Sequence, residues 1–171
     1  MIIFVTGGAR SGKSDFAQGL AEKLEGKRLF LATAQALDDE MHQRIEKHRE
    51  QRGDRWDTLE EPIHIGKALR SMAEPYDTVL VDCFTVWMSN LLGEYPDQDE
   101  KISEIIGDFF SSINEFKGTI LIVSNEVGMG IVPENRLARQ YRDQLGFLNQ
   151  AAARRADEVY VLCSGIPLRI K

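Results

Sequence analysis

The sequence predicts an α/β domain: a mostly parallel sheet with helices on both faces. Three observations carry this expectation. Short apolar runs recur along the chain, each nearly continuous in hydrophobicity rather than alternating, which suits strands covered on both sides. Longer amphipathic stretches separate them, the order expected of right-handed strand–helix–strand crossovers. A glycine-rich segment follows directly on the first run, where a strand would turn sharply into a helix.

The elements follow in order. Ile2–Thr6 (IIFVT) reads as the first strand, Arg28–Ala32 (RLFLA) as the second and Thr78–Asp82 (TVLVD) as the third. Thr119–Ser124 (TILIVS) reads as the fourth and Glu158–Cys163 (EVYVLC) as the fifth, with Ile166–Ile170 adding a last strand or hairpin. Helical periodicity marks Lys13–Leu24, Asp39–Gln51, Ile63–Met72, Ile102–Phe116 and Arg136–Ala156. The acidic, turn-rich stretch Gly93–Glu100 reads as a surface excursion. No internal repeat and no Pro/Ser-rich linker interrupts the chain, so residues 1–171 are expected to form a single nucleotide-binding domain.

Composition narrows the function classes. A chain of 171 residues, 43% hydrophobic and 28% charged, can bury a substantial core. The formal net charge of -6 disfavours a nucleic-acid partner but allows a local basic pocket. Two cysteines, Cys83 and Cys163, argue against a disulfide scaffold, and two cysteines with three scattered histidines give no zinc spacing. No apolar run approaches a membrane span, and the start lacks the pattern of a secretory signal. A soluble cytoplasmic protein is expected.

Gly7–Ser14, GGARSGKS, fits G-x-x-x-x-G-K-S/T. Polyphosphate binding needs several inward-pointing backbone N–H groups in a concave loop, and glycine permits the close approach this requires. The following helix adds the positive end of its dipole. Lys13 would reach the β- and γ-phosphates and the Ser14 hydroxyl would ligate Mg²⁺. The pattern alone arises by chance fairly often, but here it lies between an apolar strand and an amphipathic helix. Asp82, at the end of the third apolar run, is the expected second Mg²⁺ ligand, since strand ends face the same crevice as the loop. The bland alternative for Asp82 is a helix N-cap, because the run from Thr85 looks helical.

Leu37–Gln51 places Leu37, Met41, Ile45 and His48 on one apolar stripe. A histidine there is more often a core or interface residue than a catalyst, while His42 and His64 read as surface or packing residues. Arg49, Arg52 and Arg55 form a basic cluster, read either as a solvated helix end or as a pyrophosphate site. Glu60 and Glu61 precede Pro62. They read either as first-turn carboxylates or as acceptors for a nucleotide base or ribose.

On VTGGARSGKS (Val5–Ser14), LATAQALDDEM (Leu31–Met41), RIEKHREQR (Arg44–Arg52), VDCFTVWMSNLL (Val81–Leu92) and SNEVGMGIVPENRLARQYRDQLGFLNQ (Ser124–Gln150), the chain closely resembles a family. It is that of the bifunctional adenosylcobinamide kinase / adenosylcobinamide-phosphate guanylyltransferase of cobalamin assembly. The resemblance covers essentially the whole chain, and the last segment is far more specific than a phosphate loop. It implies a RecA-like P-loop fold and a homo-oligomer, with a trimer suspected. It implies that adenosylcobinamide and its phosphate are substrates, along with GTP and ATP, with Mg²⁺. It makes His48 the guanylylated residue beside catalytic Lys13. It places nucleotide contacts on Gly7, Gly8, Ala9, Arg10, Ser11, Gly12, Lys13 and Ser14. Further contacts fall on Ala32, Thr33 and Ala34, on Arg49, Glu50, Gln51 and Arg52, and on Glu60 and Asp82. Glu126, Glu134, Asn135 and Arg139, around the Gly128–Gly130 loop, read either as contacts for the corrinoid or a partner chain, or as a structural loop with a capped helix start. The alternatives are a single-function small-molecule kinase and a nucleotide-binding regulatory module without chemistry.

Overall fold

The structure, a computed structural model, describes residues 1–35, 53–72 and 76–171. Seven strands form one sheet: β1 (Ile2–Gly7), β2 (Arg28–Ala32), β3 (Asp57–Glu60), β4 (Thr78–Asp82), β5 (Thr119–Val123), β6 (Glu158–Cys163) and β7 (Ile166–Arg169). Their order across the sheet is β3-β2-β4-β5-β1-β6-β7. All pairings are parallel except the β6–β7 hairpin. Among the described residues five α-helices accompany them: α1 (Lys13–Ala21), α2 (Ile65–Ser71), α3 (Phe84–Glu94), α4 (Asp99–Glu115) and α5 (Arg136–Arg155). A short 3₁₀ turn occupies Gly53–Arg55. The helix expected over Asp39–Gln51 lies outside the described residues.

The continuous apolar runs are covered on both faces, as expected, but unequally. Alternate strand residues point to opposite sides. Phe4, Leu29, Leu31, Val79, Val81, Ile120 and Ile122 pack with α2, α3, α4 and α5. Ile3, Val5, Phe30, Leu80, Leu121 and Val123 face the other way, toward Ala17 and Ala21 of α1. Small alanines on α1 let that helix lie close to the strands beside the glycine loop. The thicker layer holds an aromatic group in which Phe84, Trp87 and Phe109 stand with ring centroids 5.3–5.5 Å apart. Each such pair adds about 0.5–1.5 kcal/mol beyond its area. The Trp87 indole N–H donates to the Ile63 carbonyl at 2.8 Å, so its burial leaves no orphan donor.

Two elements depart from the sequence expectation, and a third extends it. β3, DTLE, has charged ends and too little apolar content to read as a strand, yet it pairs with β2 at the sheet edge. α4 starts at Asp99 rather than Ile102, because Asp99 and Glu100 favour the positive end of a helix. The helical look of the run from Thr85 is borne out: α3 spans Phe84–Glu94, and its buried residues Phe84, Trp87, Met88, Leu91 and Leu92 recur at helical spacing.

Candidate nucleotide site at the carboxyl edge of the sheet

β1 runs between β5 and β6 and delivers Gly7 opposite Leu162. The chain then reverses: φ is 148° at Gly7, 55° at Arg10 and 86° at Gly12. At Gly7 a Cβ would stand 2.4 Å from the Leu162 carbonyl oxygen, so only glycine fits there. Gly12 precedes α1 with no side-chain cap, which leaves the first-turn N–H groups of the helix to face an anion. The loop is braced from two sides. The Gly165 N–H, in the β6–β7 turn, donates to the Ser11 carbonyl at 3.0 Å, and the Glu126 N–H donates to the Gly7 carbonyl at 3.0 Å.

Lys13 lies inside this loop. It is 7% exposed, and its ammonium donates to the Gly8 carbonyl at 2.5 Å and to the Ser11 hydroxyl at 3.3 Å. Burial lowers its pKa, while the negative potential of Cys83 and Asp82 partly offsets that effect. Burial also pushes the Cys83 thiol up to about 11, helped by Asp82. At neutral pH the thiol is therefore protonated, and Asp82 is the real counter-charge. Lysine and aspartate, far apart in sequence, share one electrostatic neighbourhood at the end of β1 and β4.

Asp82 ends β4, and Cys83, not Asp82, occupies the N-cap of α3. The helix-cap alternative for Asp82 is thus not what the fold uses. Its placement is fixed by Thr33, which is fully buried. The Thr33 N–H donates to the Asp82 carbonyl at 3.1 Å. The Thr33 hydroxyl donates to the Cys83 carbonyl and accepts from the Cys83 N–H, both at 2.9 Å. The Asp82–Cys83 peptide bond is cis. Asn90 of α3 donates to the Thr33 and Pro62 carbonyls at 2.8 and 3.1 Å, tying the ends of β2 and β4 to the chain after β3.

The donor set suits magnesium. Ser14 brings a hydroxyl in the first turn of α1, and Asp82 brings a carboxylate at a strand end. Mg²⁺ takes oxygen ligands and is usually held by one or two carboxylates plus substrate phosphates and water. Among the described residues no group of three or more His, Cys, Asp or Glu converges into a cage.

The remaining expected residues divide. Ala32 and Ala34 flank Thr33 at the end of β2, and Ala32 pairs with both Asp82 and Glu60. Glu60 is the exposed last residue of β3 at the same edge. Glu61 serves the local turn instead: its Oε1 accepts from the N–H groups of Ile63 and His64 at 2.9 and 2.8 Å. His64 is exposed ahead of α2. Arg55 pairs with Glu22 at 2.8 Å. His48, Arg49, Glu50, Gln51 and Arg52 lie outside the described residues.

Sequence reasoning missed the polar network behind the loop after β5. Ser124 donates to Asn149 Oδ1 at 2.6 Å, and Asn149 Nδ2 donates to the Asn125 carbonyl at 2.9 Å. The Asn125 N–H donates to the Thr85 hydroxyl at 2.9 Å, and the Tyr141 hydroxyl to the Thr85 carbonyl at 3.1 Å. Burial raises the Tyr141 pKa to about 12. The sequence signal was Asn149 falling on the same helical stripe as Leu145, Leu148 and Ala152. Asn135 caps α5 by accepting from the Ala138 N–H at 3.0 Å, and Arg139 bonds the Pro133 and Glu134 carbonyls. These two residues organise the helix start.

A strand, a glycine cradle with a buried lysine, and an aspartate at the end of β4, with β5 between it and β1, define a nucleotide-binding enzyme of the P-loop class. The fold agrees. A KaiC-like protein from Pyrococcus horikoshii OT3 superposes with a TM-score of 0.53 at 14% identity, over 94% of this chain and 69% of that one. The particular family follows from the sequence: residues 3–170 match the family described as cobinamide kinase / cobinamide phosphate guanyltransferase (CobU), and the chain belongs to it. The bifunctional adenosylcobalamin biosynthesis protein CobU of Escherichia coli is 41% identical over the full length of both chains. CobP of Pseudomonas aeruginosa, named likewise, is 42% identical over 98% of this chain and 95% of its own. CobU of Salmonella typhimurium is 41% identical, again over both full lengths.

Proposed function

We propose that residues 1–171 act as one nucleotide-binding domain that carries out both family reactions at the carboxyl edge of the sheet. The observation that carries this is the convergence of buried Lys13 and Asp82 beside the glycine cradle, in a chain that matches the bifunctional family from residue 3 to residue 170. In the kinase step, the acceptor is the aminopropanol hydroxyl of adenosylcobinamide. A new bond forms between that oxygen and the γ-phosphorus of ATP or GTP, the β–γ bridge breaks, and the nucleoside diphosphate leaves. The backbone amides of Gly8–Ser14 and the Lys13 ammonium hold the phosphates and absorb charge on the departing oxygens. Ser14 and Asp82 would hold Mg²⁺, which supplies further charge neutralisation when bound.

In the second reaction, neutral His48 attacks the α-phosphorus of GTP. A P–N bond forms, the α–β bridge breaks and pyrophosphate departs toward the cationic Arg49 and Arg52. The phosphate of adenosylcobinamide phosphate then displaces the imidazole, giving adenosylcobinamide-GDP. Imidazole suits both halves because it is a competent nucleophile and a good leaving group near neutral pH. Glu60 and Ala32–Ala34 supply the nucleoside side of the crevice. Glu126 and Glu134 face the corrinoid side, on the loop that leaves β5 beside the cradle. The enzyme works in the cytoplasm as a homo-oligomer, a trimer in this reading; no helix among the described residues is long and apolar enough to cross a membrane.

Incubation with α-³²P-GTP tests this. The wild type is expected to retain label through denaturation, acid-labile as a phosphoramidate should be. The His48→Ala variant is expected to lose the label while still phosphorylating cobinamide. A folded, kinase-active wild type that never takes label reduces the chain to a kinase alone.

A further inference from the structure

In the kinase step the acceptor hydroxyl must shed a proton. The cradle offers it only donors, the backbone N–H groups and the Lys13 ammonium. At the carboxyl edge of the sheet the central strands run β4-β5-β1. β1 delivers the cradle and β4 delivers Asp82, so the chain that leaves β5 stands between the two. The first residues to leave it are Ser124, Asn125 and Glu126.

This exit is held on both sides. The Ser124 N–H donates to the Val5 carbonyl and the Glu126 N–H to the Gly7 carbonyl, both at 3.0 Å, which carries the β5–β1 ladder up to the first glycine of the cradle. On the other side the Asn125 N–H donates to the Thr85 hydroxyl at 2.9 Å, and Thr85 lies in the first turn of α3, just after Asp82. Val127 then packs against the core. The Glu126 side chain is half-buried. Its Oε1 accepts from the Gly128 N–H at 2.6 Å, and among the described residues no donor meets its other oxygen. The other carboxylates at this edge are committed or displaced. Asp82 is the expected metal ligand, and Glu61 Oε1 holds the turn ahead of α2. Glu60 ends β3, with β2 between it and β4. Glu134 is exposed farther along the loop, beside the Asn135 cap of α5.

We propose that Glu126 is the catalytic base of cobinamide phosphorylation. The acceptor oxygen bonds to the γ-phosphorus, the β–γ bridge breaks, and the hydroxyl proton passes to the Glu126 carboxylate, which later gives it up to water. The proposal rests on the cradle and Asp82 as the seat of the triphosphate. Phosphoryl transfer runs through a loose transition state, so aiming the nucleophile matters as much as removing its proton. A carboxylate that accepts a hydrogen bond from the hydroxyl does both: it orients the oxygen, then takes the proton. Glu126 is suited to this because its backbone continues a strand ladder, and a group on a rigid element stays aimed.

The test uses the full chain, adenosylcobinamide, and γ-³²P-labelled ATP or GTP, whichever the parent uses faster, at saturating Mg²⁺. Glu126→Gln keeps an acceptor for the Gly128 N–H but cannot take a proton, and its kcat is expected to fall by about a hundredfold. The KM for adenosylcobinamide and the affinity for a fluorescent GTP analogue are expected to stay within about threefold of the parent. Glu126→Ala opens space for a small carboxylate, and added formate is expected to raise its kcat by about tenfold, which repair of a merely structural contact would not do. This variant carries the test if the glutamine variant fails to fold. A kcat within about threefold of the parent in folded Glu126→Gln, a loss confined to KM or nucleotide affinity, or no response of Glu126→Ala to formate overturns the proposal. Lys13→Met separates the two levels. If it still phosphorylates adenosylcobinamide, the cradle is not the seat of the reaction and the proposal falls with it; if it is inactive while Glu126→Gln turns over normally, only the role of Glu126 falls.

Discussion

Replacing Gly7 by alanine gives the most direct reading of the cradle. The added Cβ would stand 2.4 Å from the Leu162 carbonyl oxygen, 3.0 Å from the Ser11 hydroxyl and 3.1 Å from the Leu162 nitrogen. Ordinary contact begins at 3.4 Å, so the nearest approach is short by about 1 Å, and the obstacle is backbone of β6. Either the β1–β6 pairing yields or the cradle shifts. Overpacking of this kind costs about 1–3 kcal/mol, and a φ of 148° adds about 1–2 kcal/mol for a residue with a side chain. A total near 3 kcal/mol lowers Tm by about 6–12 °C in a chain of this size. Gly8 is the internal control, since a Cβ there meets nothing within 4 Å. Urea unfolding of Gly7→Ala and Gly8→Ala, followed by far-UV circular dichroism, separates them: a large loss in the first and almost none in the second. Fluorescent GTP-analogue binding is expected to fall in Gly7→Ala by about tenfold or more, because the amides that grip phosphate move with the shifted loop. Equal stability of Gly7→Ala and wild type would refute the close approach on which this reasoning stands.

The two thiols are expected to differ sharply. Cys163 is exposed, whereas the protein mass around Cys83 pushes its pKa up to about 11, so at pH 7.5 Cys83 is only about 0.03% thiolate. Titration with a chromogenic disulfide should show one fast thiol per chain. The slow one should speed up about tenfold per pH unit until its pKa is reached, and equal rates at neutral pH would contradict the buried setting. Asn149→Leu removes both arms of a buried network, leaving the Ser124 hydroxyl and the Asn125 carbonyl only their long 3.5 Å bond to each other. A loss of about 1–3 kcal/mol in urea unfolding is expected.

The parts of the fold that rest on short-range pattern were legible in the sequence. β4 and β6 fall on the predicted residues because TVLVD and EVYVLC are apolar runs between polar boundaries. The cradle was legible because glycine, lysine and serine each answer a separate demand of phosphate binding. β3 was not, since a four-residue edge strand draws its stability from β2 rather than from its own composition. α3 was legible in part: the run from Thr85 looks helical, and the spacing of Phe84, Trp87 and Leu91 in the structure agrees, but its bounds at Phe84 and Glu94 were not marked. The role of Thr33 was invisible for a different reason. Its hydrogen bonds run to Cys83, a pairing that only the adjacency of β2 and β4 creates.

The brace from Gly165 to Ser11 has a bearing on how the protein comes into being. The glycines of the cradle are synthesised long before the wall they lean on, Leu162 and the β6–β7 turn. Contacts so distant along the chain close slowly and late. A nascent chain that already displays β1 and α1 therefore has no finished grip on triphosphate, and nucleotide capture begins only once the hairpin has docked.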